Sequence, residues 1–408
     1  MASFVTHLES PLDGTSHDAR ALQTTHQGRP LLVRYDLAAV KQAVRRADLA
    51  RRPADLWRYH ELLPVEDASQ RVSLGESMTP LISCPRLGAK LGLEDLWIKD
   101  ESRLPTGSFK ARGLCLAVSR AKELGVKRVA IPTAGNAGGA LAAYAARAGL
   151  EAYVFMPDDT PSVNRGEAAL HGARVFLVEG VITDCAALVQ AGAQRMGWFD
   201  LSTLKEPYRL EGKKTMGLEL AEQLDWSLPD AILYPTGGGT GLVGMHKAFA
   251  ELRELGWLAD ERLPRFYACQ AEGCAPIVHA FERGERFAAP VSNPVTQASG
   301  LRVPRAVGDF LILEALRSSG GKALAARESE LLRWMRRASA LEGIGLCPES
   351  AACLAVIPGL LANKSLRASE RVVVFNTGAA QKYVECLPTD FPRLARGAEP
   401  DWSRLATA

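Results

Sequence analysis

Nothing in the 408-residue sequence offers a cysteine framework. Its eight cysteines, Cys84, Cys115, Cys185, Cys269, Cys274, Cys347, Cys353 and Cys386, include no Cys-x-x-Cys pair. The spacing therefore points to neither a zinc site nor a disulfide-stapled fold. Several lie in apolar runs, which marks them as buried thiols. The histidines (His7, His17, His26, His60, His171, His246 and His279) show no ligand spacing, and no metal site is expected. No apolar run approaches the ~20 residues of a membrane span. The start, Met1-Ala2-Ser3-Phe4-Val5-Thr6-His7, lacks the charged and apolar regions of a signal peptide. A cytoplasmic protein without a membrane partner is expected. Charge is nearly balanced, 49 basic against 46 acidic residues, with no basic block. No nucleic-acid partner is expected from it. Internal repeats and low-complexity segments are also missing.

What is present is the composition of a globular enzyme, 47% hydrophobic and 23% charged. The length favours two or three domains. Residues 1–36 read as polar and irregular, and Leu37–Ala47 as a short helix. From Val126 onward strands and helices alternate. Strands are expected at 129–132, 152–156 and 174–178, each followed by a helix, at 136–148, 163–171 and 184–196. A second block follows, with strands at 231–234, 266–270 and 371–375. Its helices are expected at 211–224, 242–255, 310–317, 328–341 and 350–361. This order implies an α/β fold with open, mostly parallel sheets and helices on both faces. The run Val175–Val178 is apolar throughout, as a strand covered on both faces should be. Residues 282–296 are polar and turn-rich, the best candidate for a mobile loop, and beyond Pro388 a surface tail is expected.

Four stretches carry candidate chemistry. In Pro105-Thr106-Gly107-Ser108-Phe109-Lys110-Ala111-Arg112-Gly113, the strand Leu96–Lys99 comes before and a helix over 114–124 after. Ser108 reads as its N-cap. Lys110 then sits in the first turn, where the positive end of the macrodipole repels an ammonium and lowers its pKa. A depressed lysine can form a Schiff base with an aldehyde, whereas one at roughly 10.4 is rarely a nucleophile. A surface lysine at a helix start is the plain alternative. The second stretch, Thr133-Ala134-Gly135-Asn136-Ala137, runs from strand to helix. Its small residues admit a close ligand, and free N–H groups at the helix start can hold a carboxylate. Asn136 as an ordinary N-cap stays open beside that. The third, Gly237-Gly238-Gly239-Thr240, forms an anion nest suited to a phosphate. The same residues begin Gly239-x-Gly241-x-x-Gly244, a dinucleotide fingerprint, but the acidic residue that fingerprint wants falls late, at Glu272. The fourth, Lys205-Glu206-Pro207-Tyr208-Arg209-Leu210-Glu211-Gly212-Lys213-Lys214, is densely charged. It is either a solvated face or a site for an anion.

Together these stretches resemble the fold-type II pyridoxal-phosphate enzymes, in the form used by threonine synthases. Leu74–Leu81, Cys347-Pro348-Glu349-Ser350-Ala351-Ala352 and Asn376-Thr377-Gly378 extend the resemblance over most of the chain. It implies two α/β domains with the cofactor in the cleft between them, as in the tryptophan synthase β chain. The smaller would span 113–205, and 1–112 with 206–408 would form the larger. It makes Lys110 the Schiff-base lysine and catalytic base, and Asn136 the partner of the cofactor's ring oxygen. Gly237, Gly238, Gly239 and Thr240 would hold the cofactor phosphate, and Thr377 would face the pyridine nitrogen. Thr133, Ala134, Gly135 and Ala137 would hold the substrate carboxylate. Arg209, with Lys205 as the weaker candidate, would bind the phosphate of a phosphorylated amino acid. The implied reaction converts O-phosphohomoserine and water to threonine and phosphate, in a homodimer. A β-replacement enzyme or ammonia-lyase acting on serine, threonine or phosphoserine shares these motifs, and a non-catalytic cofactor-binding protein is the third reading. The chain departs from the family at Ala111, where Asp is frequent, at Ala379-Ala380-Gln381, and in having no cysteine before Cys84.

Overall fold

The computed structural model describes residues 3–76, 78–391, 393–394, 396–397 and 401–402. Ser77, in the stretch 74–81, and parts of the tail beyond Pro388 lie outside the described residues. Two parallel sheets dominate. The larger has six strands in the order Lys322–Ala326, Arg265–Ala271, Ala231–Pro235, Arg371–Asn376, Asp95–Asp100 and Leu81–Ser83. Only the last pair is antiparallel. The smaller has four parallel strands, Arg174–Val178, Glu151–Pro157, Arg128–Pro132 and Phe199–Asp200. Val372, Val373, Val374, Ile232 and Leu233 are fully buried, because helices cover both faces of the larger sheet.

The strands and helices read from the alternation are present, with bounds shifted by a few residues. Four expectations change. Residues 1–36 are not irregular: Val5–Glu9 pairs antiparallel with Ser16–His17 and Leu32–Tyr35. These strands are short and mix core residues such as Leu8, Leu32 and Val33 with part-buried ones in no regular order, so no period shows in the sequence. The Leu37–Ala47 helix stops at Ala43, where Val44 turns extended, and a separate turn follows at Arg46–Leu49. The strand Arg174–Val178 is an edge strand rather than a doubly covered one, and Phe176 and Leu177 are 46% and 51% exposed. The helix expected from Leu114 starts at Lys110. The strand Lys322–Ala326 and the helices Pro85–Leu91 and Pro276–Glu282 were not expected. The alanine-rich strand has no β-branched residue, and each helix is only seven residues long.

Three neighbouring strands of the larger sheet, Ala231–Pro235, Arg371–Asn376 and Asp95–Asp100, deliver their carboxyl ends side by side. The loops that leave them carry the glycine nest, Thr377 and Lys110. In open parallel sheets this edge is where ligands bind.

Candidate active site

The lysine loop is stitched to the chain that leaves the last long strand. Phe109 N–H donates to the Thr377 carbonyl at 3.1 Å, Ala379 N–H to the Gly107 carbonyl at 2.8 Å, and Ser108 bridges Gly378. Thr106 and Gly107 turn through positive φ, 59° and 60°. Ser108 is extended and caps nothing; Phe109 holds the cap position and no side chain satisfies the first turn. Lys110 is therefore the first residue of the helix Lys110–Glu123, which has no acidic residue in its first turn. Among the described residues its ammonium makes no hydrogen bond or ion pair; it rests 4.4 Å from the centre of the Phe109 ring. Burial, and next the Arg209 charge, bring its pKa down to about 7, against an opposing pull from Glu349. Near neutrality much of it is the free amine a nucleophile requires.

Arg209 reaches Lys110 because two helices cross at backbone contact. A Cβ on Gly212 would strike the Arg112 carbonyl, and one on Gly113 would lie 2.9 Å from the Arg209 carbonyl. Two glycines thus let Tyr208–Gln223 lie against Lys110–Glu123. Arg209 is 1% exposed. One guanidinium nitrogen donates to the Leu201 carbonyl at 2.7 Å, Nε has no partner, and no carboxylate pairs with it among the described residues. Glu206 does not neutralise it: its carboxylate accepts the backbone N–H groups of Tyr208 and Arg209 instead, and burial pushes its pKa up to about 7. Lys213, on the next turn of the same helix, donates to the Phe109 carbonyl and lies 4.3 Å from the Phe109 ring. Burial, then Lys110 and Arg209, hold its pKa well below the ordinary lysine value. Lys205 is part-exposed and 3.8 Å from Asp200, so its charge has a partner already.

Arg112 belongs to the support beneath. It pairs with Glu101 at 2.6 Å and Glu219 at 2.7 Å, and Lys99 pairs with Glu219 at 2.5 Å, all buried.

Asn136 occupies the N-cap position of Ala137–Ala148, yet its side chain does not cap that helix. It donates to the Tyr383 hydroxyl at 3.1 Å, and its amide oxygen lies 3.4 Å from the Asn164 amide nitrogen. The plain N-cap reading fails here, and the helix-start N–H groups stay free of a side-chain cap. Thr133 Oγ1 accepts the Gly135 N–H at 3.1 Å and shapes the turn. Ala134 and Ala137 are buried beside it.

The nest opens the sixteen-residue helix Thr240–Leu255, with Gly239 in the left-handed region (φ 73°) and no side-chain cap. A Cβ on Gly237 would come within 2.5 Å of the Gly300 carbonyl, and one on Gly239 would overlap Ile312. Gly238 is the least tight of the three, though a Cβ there would still press on Thr203 at 2.9 Å. Glu272, the acidic residue of the dinucleotide alternative, accepts the Glu328 N–H at 2.8 Å at the start of another helix and is spent there. Thr377 is buried, and its N–H donates to Ser350 Oγ at 3.0 Å. Its hydroxyl lies 3.6 Å from Cys347 Sγ, whose pKa burial pushes up to about 12.

A phosphorylated aldehyde cofactor fits this donor set: an unpartnered amine, a nest of N–H groups and a neutral hydroxyl on adjoining strand ends. Four residues near these groups were given no role by the sequence: Lys213, Glu349, Ser350 and Tyr383. Glu349 and Ser350 lay in a quoted motif without a role, Lys213 in a charged run, and Tyr383 in no recognisable pattern.

The profile of one family, described as pyridoxal-phosphate dependent enzyme, matches residues 72–378. The threonine synthase of Methanocaldococcus jannaschii is 36% identical over 371 residues, covering 90% of this chain and 91% of the relative. That of Methanosarcina acetivorans is 37% identical, covering 84% of each. Among solved structures, a diaminopropionate ammonia lyase from Escherichia coli superposes with a TM-score of 0.67 at 19% identity, over 78% of this chain and 90% of that one. Maize serine racemase gives 0.63 at 21%, over 74% and 88%. At such identities the structures speak to the fold alone.

Proposed function

Because this chain belongs to the family of pyridoxal-phosphate dependent enzymes, we propose that it is a threonine synthase, converting O-phosphohomoserine and water to threonine and inorganic phosphate. It is a pyridoxal-phosphate-dependent lyase, and the bound cofactor supplies the electron sink that makes the substrate Cα–H acidic. The remaining work falls to side chains of this chain. Lys110 would hold the cofactor and, once its amine is free, take the Cα proton and deliver protons further along the substrate. A pKa near 7 suits it to both directions of transfer. Gly237, Gly238, Gly239 and Thr240 would bind the cofactor phosphate, and Asn136 its ring oxygen. Thr377 would face its ring nitrogen with a neutral hydroxyl, a setting that suits elimination better than transamination. Thr133–Ala137 would orient the substrate carboxylate.

The observation that carries the substrate assignment is Arg209. A buried guanidinium without a carboxylate is costly. It is offset if the site receives an anion, and the cofactor's own phosphate has the nest. A phosphate on the substrate supplies that anion, and the planar fork of Arg suits phosphate oxygens. Losing such a charge-assisted pair costs roughly 1.5–3 kcal/mol, or on the order of tenfold to a hundredfold in kcat/KM. Arg209→Ala should keep the cofactor's colour and lose that much on O-phosphohomoserine, with far less change on serine or threonine. Unchanged turnover of the phosphorylated substrate, or a wild type that prefers an unphosphorylated amino acid, moves the assignment to the lyase or replacement reading. The homodimer and the cytoplasmic setting belong to the same proposal, and the mass in solution checks the first.

A further inference from the structure

Tyr383 stands just past Ala379-Ala380-Gln381, where the chain leaves the family pattern. Short helical turns, Ala380–Lys382 and Val384–Cys386, flank it, and it is buried. Its N–H donates to the Ala380 carbonyl and its carbonyl accepts the Cys386 N–H, each at 2.9 Å, so the backbone is tied on both sides. The hydroxyl of this phenol accepts an N–H of Asn136 at 3.1 Å, from 247 positions away. Asn136 opens a helix beside the smaller sheet, and Tyr383 follows the strand Arg371–Asn376 of the larger. The bond packs over Gly378, where a Cβ would lie 3.3 Å from Asn136 Nδ2 and 3.6 Å from the Tyr383 hydroxyl. Gly378 follows Thr377 and bridges Ser108, two residues before Lys110. The bond thus sits against the segment that ties Thr377 to the lysine loop.

The two ends of an amide have the same shape, and its orientation is decided by which neighbours donate and which accept. A phenol has one proton to give. The Tyr383 hydroxyl is hydrogen-bonded to the Glu349 side chain, and a carboxylate only accepts. That carboxylate is anchored in turn, its Oε1 taking the Gly300 N–H at 2.7 Å. Towards Asn136 the hydroxyl therefore offers lone pairs, and it faces the amide nitrogen. The other end agrees, since Asn136 Oδ1 lies 3.4 Å from the Asn164 amide nitrogen. One N–H of Asn136 Nδ2 is thus spent on Tyr383, and the second has no acceptor among the described residues.

We propose that Tyr383 is a positioning residue for Asn136: its hydroxyl holds one N–H of the amide and so presents the other to the cofactor's ring oxygen. The proposal rests on the reading of Asn136 as the partner of that oxygen, and one arm of the test examines that reading alone. A donor at the ring oxygen favours its ionised form, which is yellow, over the protonated form, which absorbs in the near ultraviolet.

The test reads the ratio of the visible to the near-ultraviolet band in the holoenzyme, without substrate. Asn136→Ala should lower it; an unchanged ratio there ends the reading of Asn136, and the proposal with it. Tyr383→Phe removes one oxygen from a ring of the same shape. It should lower the ratio by about twofold to tenfold, the worth of one hydrogen bond. Added to Asn136→Ala it should lower the ratio no further, because it acts only through the amide. A purely structural role lowers stability or yield and leaves the ratio in place. Where Asn136→Ala lowers the ratio, an unchanged ratio in Tyr383→Phe, or a further fall in the double variant, would overturn the proposal. Tyr383→Leu supplies the same readings if the Phe variant is not recovered.

Discussion

Lys110 shows how a functional residue opposes folding. Its pKa is brought to about 7 in the native protein, while in the unfolded chain it is roughly 10.4. Between those values the unfolded state holds the proton and the folded state does not. The cofactor-free protein should therefore gain stability as pH rises through that window, by up to about tenfold in the folding constant per unit. Below pH 7 both states are protonated, and the penalty is constant. Lys110→Met removes the group, so its advantage over wild type in urea should be largest at and below pH 7 and shrink towards pH 10. A gap that does not vary with pH would contradict this. Lys110, Asn136, the nest glycines, Thr377 and Arg209 could be picked out as candidates because each sits in a contiguous motif beside a strand or helix end. Lys213 and Tyr383 were not, because their partners Phe109 and Asn136 lie more than a hundred positions away, and Glu349 was not, because its partner Gly300 lies 49 positions away in a separate segment. Ser108 misled for a local reason: its spacing fits an N-cap, but pairing with Gly378 pulls it into an extended conformation.

At the scale of elements, the crossing of Lys110–Glu123 with Tyr208–Gln223 brings the anion-binding candidate to the lysine. Gly212 is the tightest point, since a Cβ there would overlap the Arg112 carbonyl. Backbone cannot yield as a side-chain tip can. Gly212→Ala should therefore destabilise the protein by roughly 1–3 kcal/mol or more. Its kcat/KM on O-phosphohomoserine should fall even where the protein remains folded, because Arg209 is displaced. Equal stability and activity in urea titration and assay would show that the helices have slack there. The nest makes a second, contrasting case. Gly238 has more room than its neighbours, so Gly238→Ala should bind the cofactor with modest loss. Gly238→Asp adds a like charge beside the bound phosphate, and should weaken cofactor affinity by about tenfold or more, ~1.4 kcal/mol. Equal affinities for the two variants would remove the phosphate from this loop. The helix–strand alternation was readable because buried parallel strands are apolar runs and the helices are long. The edge strand Arg174–Val178 is equally apolar, and nothing in its composition reveals that one side has no neighbour.

For the whole molecule, we propose 113–205 as the smaller domain and 1–112 with 206–408 as the larger. All four strands of the smaller sheet fall inside the first range and all six of the larger outside it. Between them runs a part-buried ion pair, Lys382 to Glu167 at 2.5 Å, and Lys382 also donates to the Thr106 carbonyl at 2.9 Å. One ammonium thus joins the Ser162–Leu170 helix to the lysine loop. Glu167→Gln leaves that cation without its anion and should cost about 1–3 kcal/mol in stability. It should raise KM for the substrate while the cofactor's colour persists. Unchanged KM and stability would make the pair incidental. This tie was invisible in the sequence, where Lys382 and Glu167 lie 215 positions apart in unremarkable helix and turn.

The central claim is that the cleft around Lys110 eliminates phosphate from O-phosphohomoserine and then adds water. Turnover in heavy-oxygen water tests it directly. Elimination breaks the carbon–oxygen bond, so the phosphate should leave unlabelled and one solvent oxygen should appear in the hydroxyl of threonine. Labelled phosphate with homoserine, or no threonine at all, would contradict it.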